Sequence, residues 1–259
     1  MNENTDRAGQ KRVIIGIFGR SGVYLQSPLV NAWWSAAFPG LGQFLLNNHI
    51  RGSILFLWEI FINTRMHLNI AIIYTFAGQF DKALDILDPR WTLLYIPFYF
   101  YTIWDSYRTT IDLNRRYLLL KHEPLNLPRL HLTPFEINYL DKRIPTVAVL
   151  WSLCLPGLGQ LYLRRISIAF FLMFWSVFVI YNANILPSLH LVFLGRLQEA
   201  TEVLNAGWFM FLPSIFGFSM YDAYLNTVID NKFYMQQQRE LLKHAYQSGK
   251  FTMPVKQVK

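Results

Sequence analysis

Hydrophobic residues are concentrated in six long apolar segments, three in each half of the chain. These segments cover residues 27–47, 52–76 and 91–113 in the first half, and residues 144–163, 166–194 and 208–228 in the second. In each half, the second and third segments are long enough to cross the bilayer as helices, because a spanning helix needs about 20 apolar residues. The pattern therefore predicts an all-α integral membrane protein.

An internal repeat relates the two halves. A shift of 117 positions aligns residues 31–117 with residues 148–234 without a gap. The motif Pro-Gly-Leu-Gly-Gln at residues 39–43 falls on the same motif at residues 156–160, and several tryptophans align as well. Five consecutive identities in register with these tryptophans indicate a tandem duplication of one unit.

The first apolar segment of each unit is interrupted by its Pro-Gly pair. A helix is expected to end before Pro39, because proline disfavours the helical conformation of the preceding residue and glycine favours a turn. Few residues then remain before the polar boundary at Asn47 in the first unit and Arg164 in the second. The remainder is short for a second crossing, which predicts a segment that enters the membrane and returns.

Loop charges distinguish two layouts. Six spanning helices would invert the second unit and place residues 108–143 outside, against the preference of basic residues for cytoplasmic loops. The basic residues concerned are Arg108, Arg115, Arg116, Lys121, Arg129, Lys142 and Arg143. The favoured prediction is four transmembrane helices plus two Pro-Gly-broken re-entrant segments, with both copies in parallel orientation. The alternative is six transmembrane helices in an inverted repeat, an arrangement used by many secondary transporters.

This layout divides the chain into five parts and places the protein in the cell membrane with both termini cytoplasmic. The parts are a cytoplasmic N-terminal segment 1–26, membrane repeat 27–117, a cytoplasmic linker 118–143, membrane repeat 144–234 and a basic C-terminal tail 235–259. Short helices are expected on the outer face at residues 78–84 and 195–201. The chain from about residue 232 is expected to continue as a surface helix before a disordered end.

Composition and charge support a membrane protein over a nucleic-acid-binding one. Charged residues make up 15% of the chain, against about 25% in typical soluble domains. The net charge of +8 comes from basic residues between and beyond the apolar segments, and no nucleic-acid fold signature accompanies them. The expected partners are therefore the lipid bilayer and further membrane subunits, and not nucleic acid.

The repeated motif supplies the strongest candidate positions. They are the glycines Gly40, Gly42, Gly157 and Gly159 and the glutamines Gln43 and Gln160. A broken helix in a bilayer exposes backbone groups that protein or water must satisfy. One interpretation is a half-helix site that binds an ion or polar group, with the glutamines as ligands. The other is a structural turn whose glycines permit close helix contact.

Carboxylates inside apolar segments are the second set of candidates, because they are costly there. Asp105 and Asp222 recur at the same position of the repeat. Each is either functional, or accepts hydrogen bonds at the glycine turn, or pairs with an arginine. Glu59 has no carboxylate counterpart in the second unit. It either lines a hydrated cavity and is partly neutralised by Arg65, or needs another partner while Arg65 extends to the outer interface.

Known catalytic patterns are missing from the sequence. The histidines show no metal-ligand spacing, and neither a nucleophile motif of the G-x-S-x-G type nor a phosphate-binding loop is present. We therefore expect no enzyme, no metal and no cofactor. The predicted function is a scaffold or an accessory subunit of a membrane complex, and the alternative is a small transporter or channel for an ion or small solute.

The glycine motif and the aspartate that closes the third segment also carry a family resemblance. The Pro-Gly-Leu-Gly-Gln motif ends the first apolar segment of each unit. In the third segment, Trp104-Asp105 and Tyr221-Asp222 follow aromatic stretches. In this respect the chain resembles bacterial membrane proteins of the TM2-domain type. The resemblance implies a helical membrane fold and no defined enzymatic activity.

Overall fold

The computed structural model describes residues 13–16, 19–22, 24–120, 130–132, 137–139 and 141–246, and these are mostly helical. The first half contains α1 (Pro28–Ala37), α2 (Leu41–Leu45), α3 (His49–Met66), α4 (Leu68–Phe76), α5 (Phe80–Ile86) and α6 (Pro89–Leu120). The second contains α7 (Pro145–Cys154), α8 (Leu158–Tyr162), α9 (Ile166–Asn182), α10 (Ile185–Phe193), α11 (Leu197–Val203), α12 (Ala206–Phe209) and α13 (Leu212–Tyr246). The prediction of a helical fold is confirmed.

Both halves turn the backbone at matching positions. Four pairs of residues, each 117 positions apart, have left-handed φ angles: Gly40 and Gly157, Asn47 and Arg164, His67 and Asn184, and Gly78 and Gly195. Left-handed backbone is uncommon for residues other than glycine, so the two pairs without glycine, Asn47 with Arg164 and His67 with Asn184, are specific coincidences. The two halves therefore follow the same course, except that the single helix α6 corresponds to α12 and α13 in the second half.

The Pro-Gly motif folds α1 and α2 into a hairpin. Pro28 occupies the first turn of α1, where its missing N–H costs no hydrogen bond, and the helix ends before Pro39 as predicted. Gly40 then adopts φ 100°, a conformation that suits glycine. The Gln26 side chain donates to the carbonyl of Leu45 over 3.3 Å, so the chain returns to the level at which α1 began.

The same closure occurs in the second half, although the residue that makes it has changed. There the Arg143 guanidinium donates to the carbonyl of Tyr162. Positions 26 and 143 are equivalent in the repeat, as are positions 45 and 162. A glutamine and an arginine thus close the two hairpins in the same way.

The second apolar segment of each half is not the single helix that the sequence predicts. Residues 52–76 divide between α3 and α4 at His67, and residues 166–194 divide between α9 and α10 at Asn184. At the first break, the side-chain oxygen of Asn63 accepts a hydrogen bond of 3.3 Å from the N–H of Asn69. This bond satisfies an amide in the first turn of α4, so the helix can restart without an intact backbone ladder.

These breaks bear on membrane spans. Among the described residues, no single helix combines the length and apolarity needed to cross a membrane, but two bent pairs meet these criteria together. The pairs are Ile166–Asn182 with Ile185–Phe193, bent by 60°, and Leu197–Val203 with Ala206–Arg239, bent by 80°.

Other local predictions can be compared with the described residues. The short helices expected at 78–84 and 195–201 are present as α5 and α11, and α13 extends the chain helically to Tyr246. The disordered end expected beyond that helix lies outside the described residues. Two antiparallel ribbons were not predicted: β1 (Val13–Gly16) with β2 (Gly19–Gly22), and β3 (Leu130–Leu132) with β4 (Ile137–Tyr139).

The two halves share one apolar core rich in aromatic rings. Phe38 stacks on Phe56 with 4.5 Å between ring centroids. Phe171, from the second half, lies 4.9 Å from Phe44 and 5.2 Å from Phe56 by the same measure. Aromatic pairs at such distances add to the stabilisation that burial provides, so the halves stabilise each other.

Candidate functional site

The predicted polar residues of the first repeat form one buried cluster. Gln43, on α2, donates through Nε2 to the carbonyl of Thr102 and to Oδ2 of Asp105, each over 3.2 Å. The Gln43 side-chain oxygen accepts a hydrogen bond of 3.3 Å from the Ser35 hydroxyl. All four residues are buried. Both ends of the Gln43 amide are therefore occupied by protein groups.

The second repeat builds the same cluster. Gln160 donates to the carbonyl of Ser219 over 2.8 Å and to Oδ2 of Asp222 over 3.1 Å. Here the Ser219 hydroxyl donates to the glutamine oxygen over 3.1 Å, although the residue equivalent to Ser35 is also a serine, Ser152. The structure thus brings each motif glutamine onto the aspartate of its own repeat.

Each aspartate also pairs with an arginine, and the two arginines are not equivalent. Arg51 lies 3.1 Å from Asp105, whereas Arg165 contacts both carboxylate oxygens of Asp222 at 2.6 and 2.9 Å. In the repeat alignment, position 165 corresponds to Asn48 and not to Arg51. In the repeat alignment, the two arginine positions are about one helical turn apart. Equivalent aspartates in the two repeats are therefore paired with arginines from different positions.

Solvent access separates the two pairs. The Arg51 side chain is 48% exposed and that of Asp105 is 8% exposed. Arg165 and Asp222 are 5% and 0% exposed, respectively. Arg165 also donates to the Asn47 side chain in the first half over 3.0 Å. The second pair is therefore a buried link between the halves, and the first lies near the surface.

The motif glycines lie where helices are in closest contact. A Cβ atom added to Gly42 would overlap the Ser35 hydroxyl and the backbone carbonyl of Asn31. One added to Gly159 would overlap the equivalent groups of Ser152 and Ala148. In both repeats, the absent side chain lets α2 or α8 lie directly against the preceding helix.

His49, at the start of α3, is a neighbour of the Arg165–Asp222 pair. Its Nδ1 is buried without a hydrogen-bond partner among the described residues. The pKa of His49 is lowered from 6.5 to about 4, mainly by burial and also by the positive charge of Arg165, while the negative charge of Asp222 opposes the shift. The imidazole is consequently neutral in the folded protein near pH 6.

This shift predicts that stability falls as the pH is lowered from about 6.5 to about 4. In that window the unfolded chain protonates His49 and the folded protein does not, so unfolding takes up a proton. The loss is at most about 1.4 kcal/mol per pH unit. Denaturant titrations between pH 4 and pH 8 should show a weaker pH dependence in His49→Gln. Identical curves for wild type and His49→Gln would contradict the prediction.

Glu59 stands apart from these clusters. It lies on α3 with 4% exposure, and its Oε1 accepts a hydrogen bond of 3.2 Å from the Asn63 side chain. The Tyr95 hydroxyl also interacts with this carboxylate, but Oε2 has no partner at hydrogen-bond geometry among the described residues. Arg65 is exposed, with its guanidinium 5.7 Å from the centre of the Phe61 ring. Arg65 therefore does not neutralise Glu59.

A cavity of about 200 Å³ opens beside Glu59, between the two halves. Its walls include Phe38, Tyr95 and Tyr99 from the first half, with Met210 and Phe211 from the second. A neighbouring cavity of about 230 Å³ shares part of this lining. We refer to the first one as the inter-repeat cavity; the sequence indicated Glu59 but not the residues that surround it.

Neither a metal site among the described residues nor a similar known protein was found. Within the part of the chain that the structure describes, no group of three or more histidine, cysteine, aspartate or glutamate side chains could hold a metal ion. No family model, no curated protein and no solved structure matches the chain.

Proposed function

We propose that this chain is a multi-pass protein of the cell membrane that acts as a scaffold or an accessory subunit of a membrane complex. Its outer surface supports the membrane location, because many large apolar side chains are exposed. Leu29 and Trp33 on α1, and Phe170, Phe174 and Tyr181 on α9, are examples. Large exposed apolar areas of this kind are rare on soluble monomers, and lipid would cover them.

The hairpin of α1 and α2 supports a re-entrant segment. A ten-residue helix such as α1 rises about 15 Å, which is half of the roughly 30 Å hydrocarbon thickness. The hydrogen bond from Gln26 to Leu45 then returns the chain to its starting level. In this proposal each unit contributes two crossings and one Pro-Gly segment that enters and leaves on the same side.

Hydrogen bonds at the unit ends support parallel copies. The Asn114 side chain accepts from the N–H of Gln26 over 3.0 Å and donates to its carbonyl over 2.8 Å. Asn231 makes the same two bonds to the backbone of Arg143, at 2.9 and 2.7 Å. Each unit thus starts and ends at one level, and the basic linker favours the cytoplasm for that side.

A non-catalytic role is supported mainly by the pairing of each motif glutamine with its aspartate. The side-chain NH₂ groups of Gln43 and Gln160 donate their hydrogen bonds to Asp105, Asp222 and backbone carbonyls. Buried polar groups that satisfy one another stabilise a particular packing. The duplicated polar residues therefore serve the architecture, and the role that follows is to present a rigid helical surface to other membrane subunits.

Cysteine labelling tests the topology. In a Cys154→Ala background, Asp85→Cys and Glu199→Cys lie on the outer helices α5 and α11, and Asp141→Cys lies in the linker; all three positions are exposed. A membrane-impermeant maleimide should label the first two in intact cells. It should label Asp141→Cys at least tenfold less until the membrane is permeabilised.

Labelling of Asp141→Cys in intact cells would contradict the parallel arrangement and favour the inverted repeat. The scaffold role has its own readout, which is purification of the full chain in mild detergent with a stoichiometric membrane subunit. A protein that is solitary under those conditions would contradict that role while leaving the topology intact.

A small transporter or channel is the second candidate, and the inter-repeat cavity favours it. The cavity combines a buried carboxylate with a position between two repeated units, where transporter sites are commonly found. Solute flux into proteoliposomes would distinguish it from a scaffold, which would show none.

A further inference from the structure

We infer that the inter-repeat cavity is a binding site for a small organic ammonium ion, with Glu59 as its counter-charge. The inference starts from the buried Oε2 atom of Glu59, which has no partner at hydrogen-bond geometry among the described residues, although the Tyr95 hydroxyl lies close enough to interact with the carboxylate. A buried carboxylate oxygen without a partner is costly. Because Glu59 lines an open volume of about 200 Å³, a cation in that volume would lie beside this carboxylate and be attracted to it.

The other polar groups around the cavity also favour a cation. Ala36 and Ala37, at the C-terminal end of α1, line it, and helix C-termini carry partial negative charge. The Ala36 carbonyl accepts a bond of 2.7 Å from the Tyr99 hydroxyl, which holds Tyr99 against the cavity wall. None of the described lining residues is lysine or arginine. Glu59 therefore faces no competing cation.

The composition of the lining favours an organic ammonium over a metal ion. A calcium ion takes six to eight oxygen ligands, whereas the described lining offers one carboxylate, and the amide oxygens of Asn63 and Asn69 already accept hydrogen bonds from each other's residues. Four aromatic residues are among those that line the cavity: Phe38, Tyr95, Tyr99 and Phe211. Aromatic faces attract ammonium groups and also bury the apolar part of such a ligand. A primary amine on a short apolar stem matches both features.

The duplication shows that the shared fold does not require these residues. Position 59 corresponds to Ser176, position 63 to Ile180 and position 95 to Leu212. Ser176 donates to the carbonyl of Leu172 within its own helix. The second repeat thus builds the same helices without the carboxylate, the amide and the phenol, which are specific to one side of the molecule.

Benzylammonium chloride and benzyl alcohol provide matched probes, since they differ in charge and hardly in size. Both would be titrated into the full-length protein in mild detergent at constant ionic strength and pH 7, with calorimetry and thermal unfolding as readouts. The wild-type protein should bind benzylammonium at least tenfold more tightly than benzyl alcohol. This comparison needs no variant, and equal affinities would overturn the inference.

The variant Glu59→Gln then tests whether the carboxylate of Glu59 is the counter-charge of the bound ammonium ion. The glutamine oxygen can still accept from Asn63, and loss of an unpartnered charge should leave the unliganded protein at least as stable as wild type. Benzylammonium affinity should fall at least tenfold in this variant, with little change for benzyl alcohol. Asp85→Asn, which removes an exposed carboxylate on α5, should bind like wild type.

Unchanged benzylammonium affinity in Glu59→Gln would overturn the inference, as would equal stabilisation of the wild-type protein by sodium ions. None of these readouts depends on membrane topology or on a partner subunit. Failure here would therefore leave the proposed scaffold role untouched, and failure of that role would leave the cavity assignment standing.

Discussion

Replacing Arg165 with methionine is expected to destabilise the protein by about 3–5 kcal/mol, the usual cost of removing one partner from a buried ion pair. The substitution keeps an apolar stem of similar length but leaves Asp222 fully buried without its cation. It also removes the hydrogen bond to Asn47 that joins the two halves. Denaturant unfolding of the detergent-solubilised protein, followed by helical circular dichroism, measures the loss.

Arg51→Met is the matched control, because Arg51 holds the equivalent aspartate from a half-exposed position. Exposed pairs contribute about 0.2–1 kcal/mol, so this variant should lose much less stability. A double variant, Arg165→Met with Asp222→Leu, should recover part of the loss, since it removes both buried charges but also the carboxylate that accepts from Gln160. Equal losses for Arg51→Met and Arg165→Met would contradict the assignment of the second pair as the buried one.

Gly42→Ala is expected to cost about 2–3 kcal/mol, although alanine is normally the better helix former. The added methyl group would overlap the Ser35 hydroxyl and the Asn31 carbonyl, so α1 and α2 would have to separate. Overpacking of a tight contact typically costs about 1–3 kcal/mol. Separation of these helices would also lengthen the hydrogen bonds of Gln43. The loss appears as a lower unfolding temperature of the purified protein.

Gly217→Ala is the control for this change. Gly217 lies within α13, and a Cβ atom there would meet only the edge of Trp34 at 3.6 Å, an ordinary contact. Without a clash, the higher helix propensity of alanine should stabilise the protein by up to about 1 kcal/mol. Opposite signs at the two glycines are expected. A gain in stability at Gly42 would show that α1 and α2 are not in close contact.

The parts of the fold that local chemistry determines could be predicted from the sequence. Pro39 and Gly40 end a helix and turn the chain whatever surrounds them, so the end of α1 is where the motif places it. The short helices α5 and α11 follow the two glycines Gly78 and Gly195 and keep a helical pattern. In each case, residues adjacent in the sequence are sufficient to predict the helix or its end.

The breaks at His67 and Asn184 could not be predicted in the same way. Neither position is glycine, and both lie in strongly apolar stretches that favour one long helix. Only the second break has a proline nearby, Pro187 in the first turn of α10. Asn63 and Asn69 gave a partial signal, since asparagine side chains compete for backbone bonds. That the chain bends there depends on packing between the halves, which no single segment encodes.

The sequence identified Gln43, Asp105 and Glu59 as chemically unusual but not which of them would meet. The bond between Gln43 and Asp105 joins residues 62 positions apart, and its geometry depends on α2 and α6 together. Glu59 and Arg65 illustrate the opposite case. They are close in sequence and of opposite charge, yet Arg65 lies exposed against Phe61 and Glu59 faces the cavity.

The displaced arginines have a consequence for recognising relatives of this protein. Arg51 and Arg165 each pair with the aspartate of their own repeat, but from positions that do not align. A profile that scores each alignment column separately would therefore miss this pairing. What the two units share is a relation: a residue near the start of the third helix of each unit brings a positive charge to the aspartate. Distant relatives are therefore better sought by pairs of residues that compensate for each other than by single preserved letters.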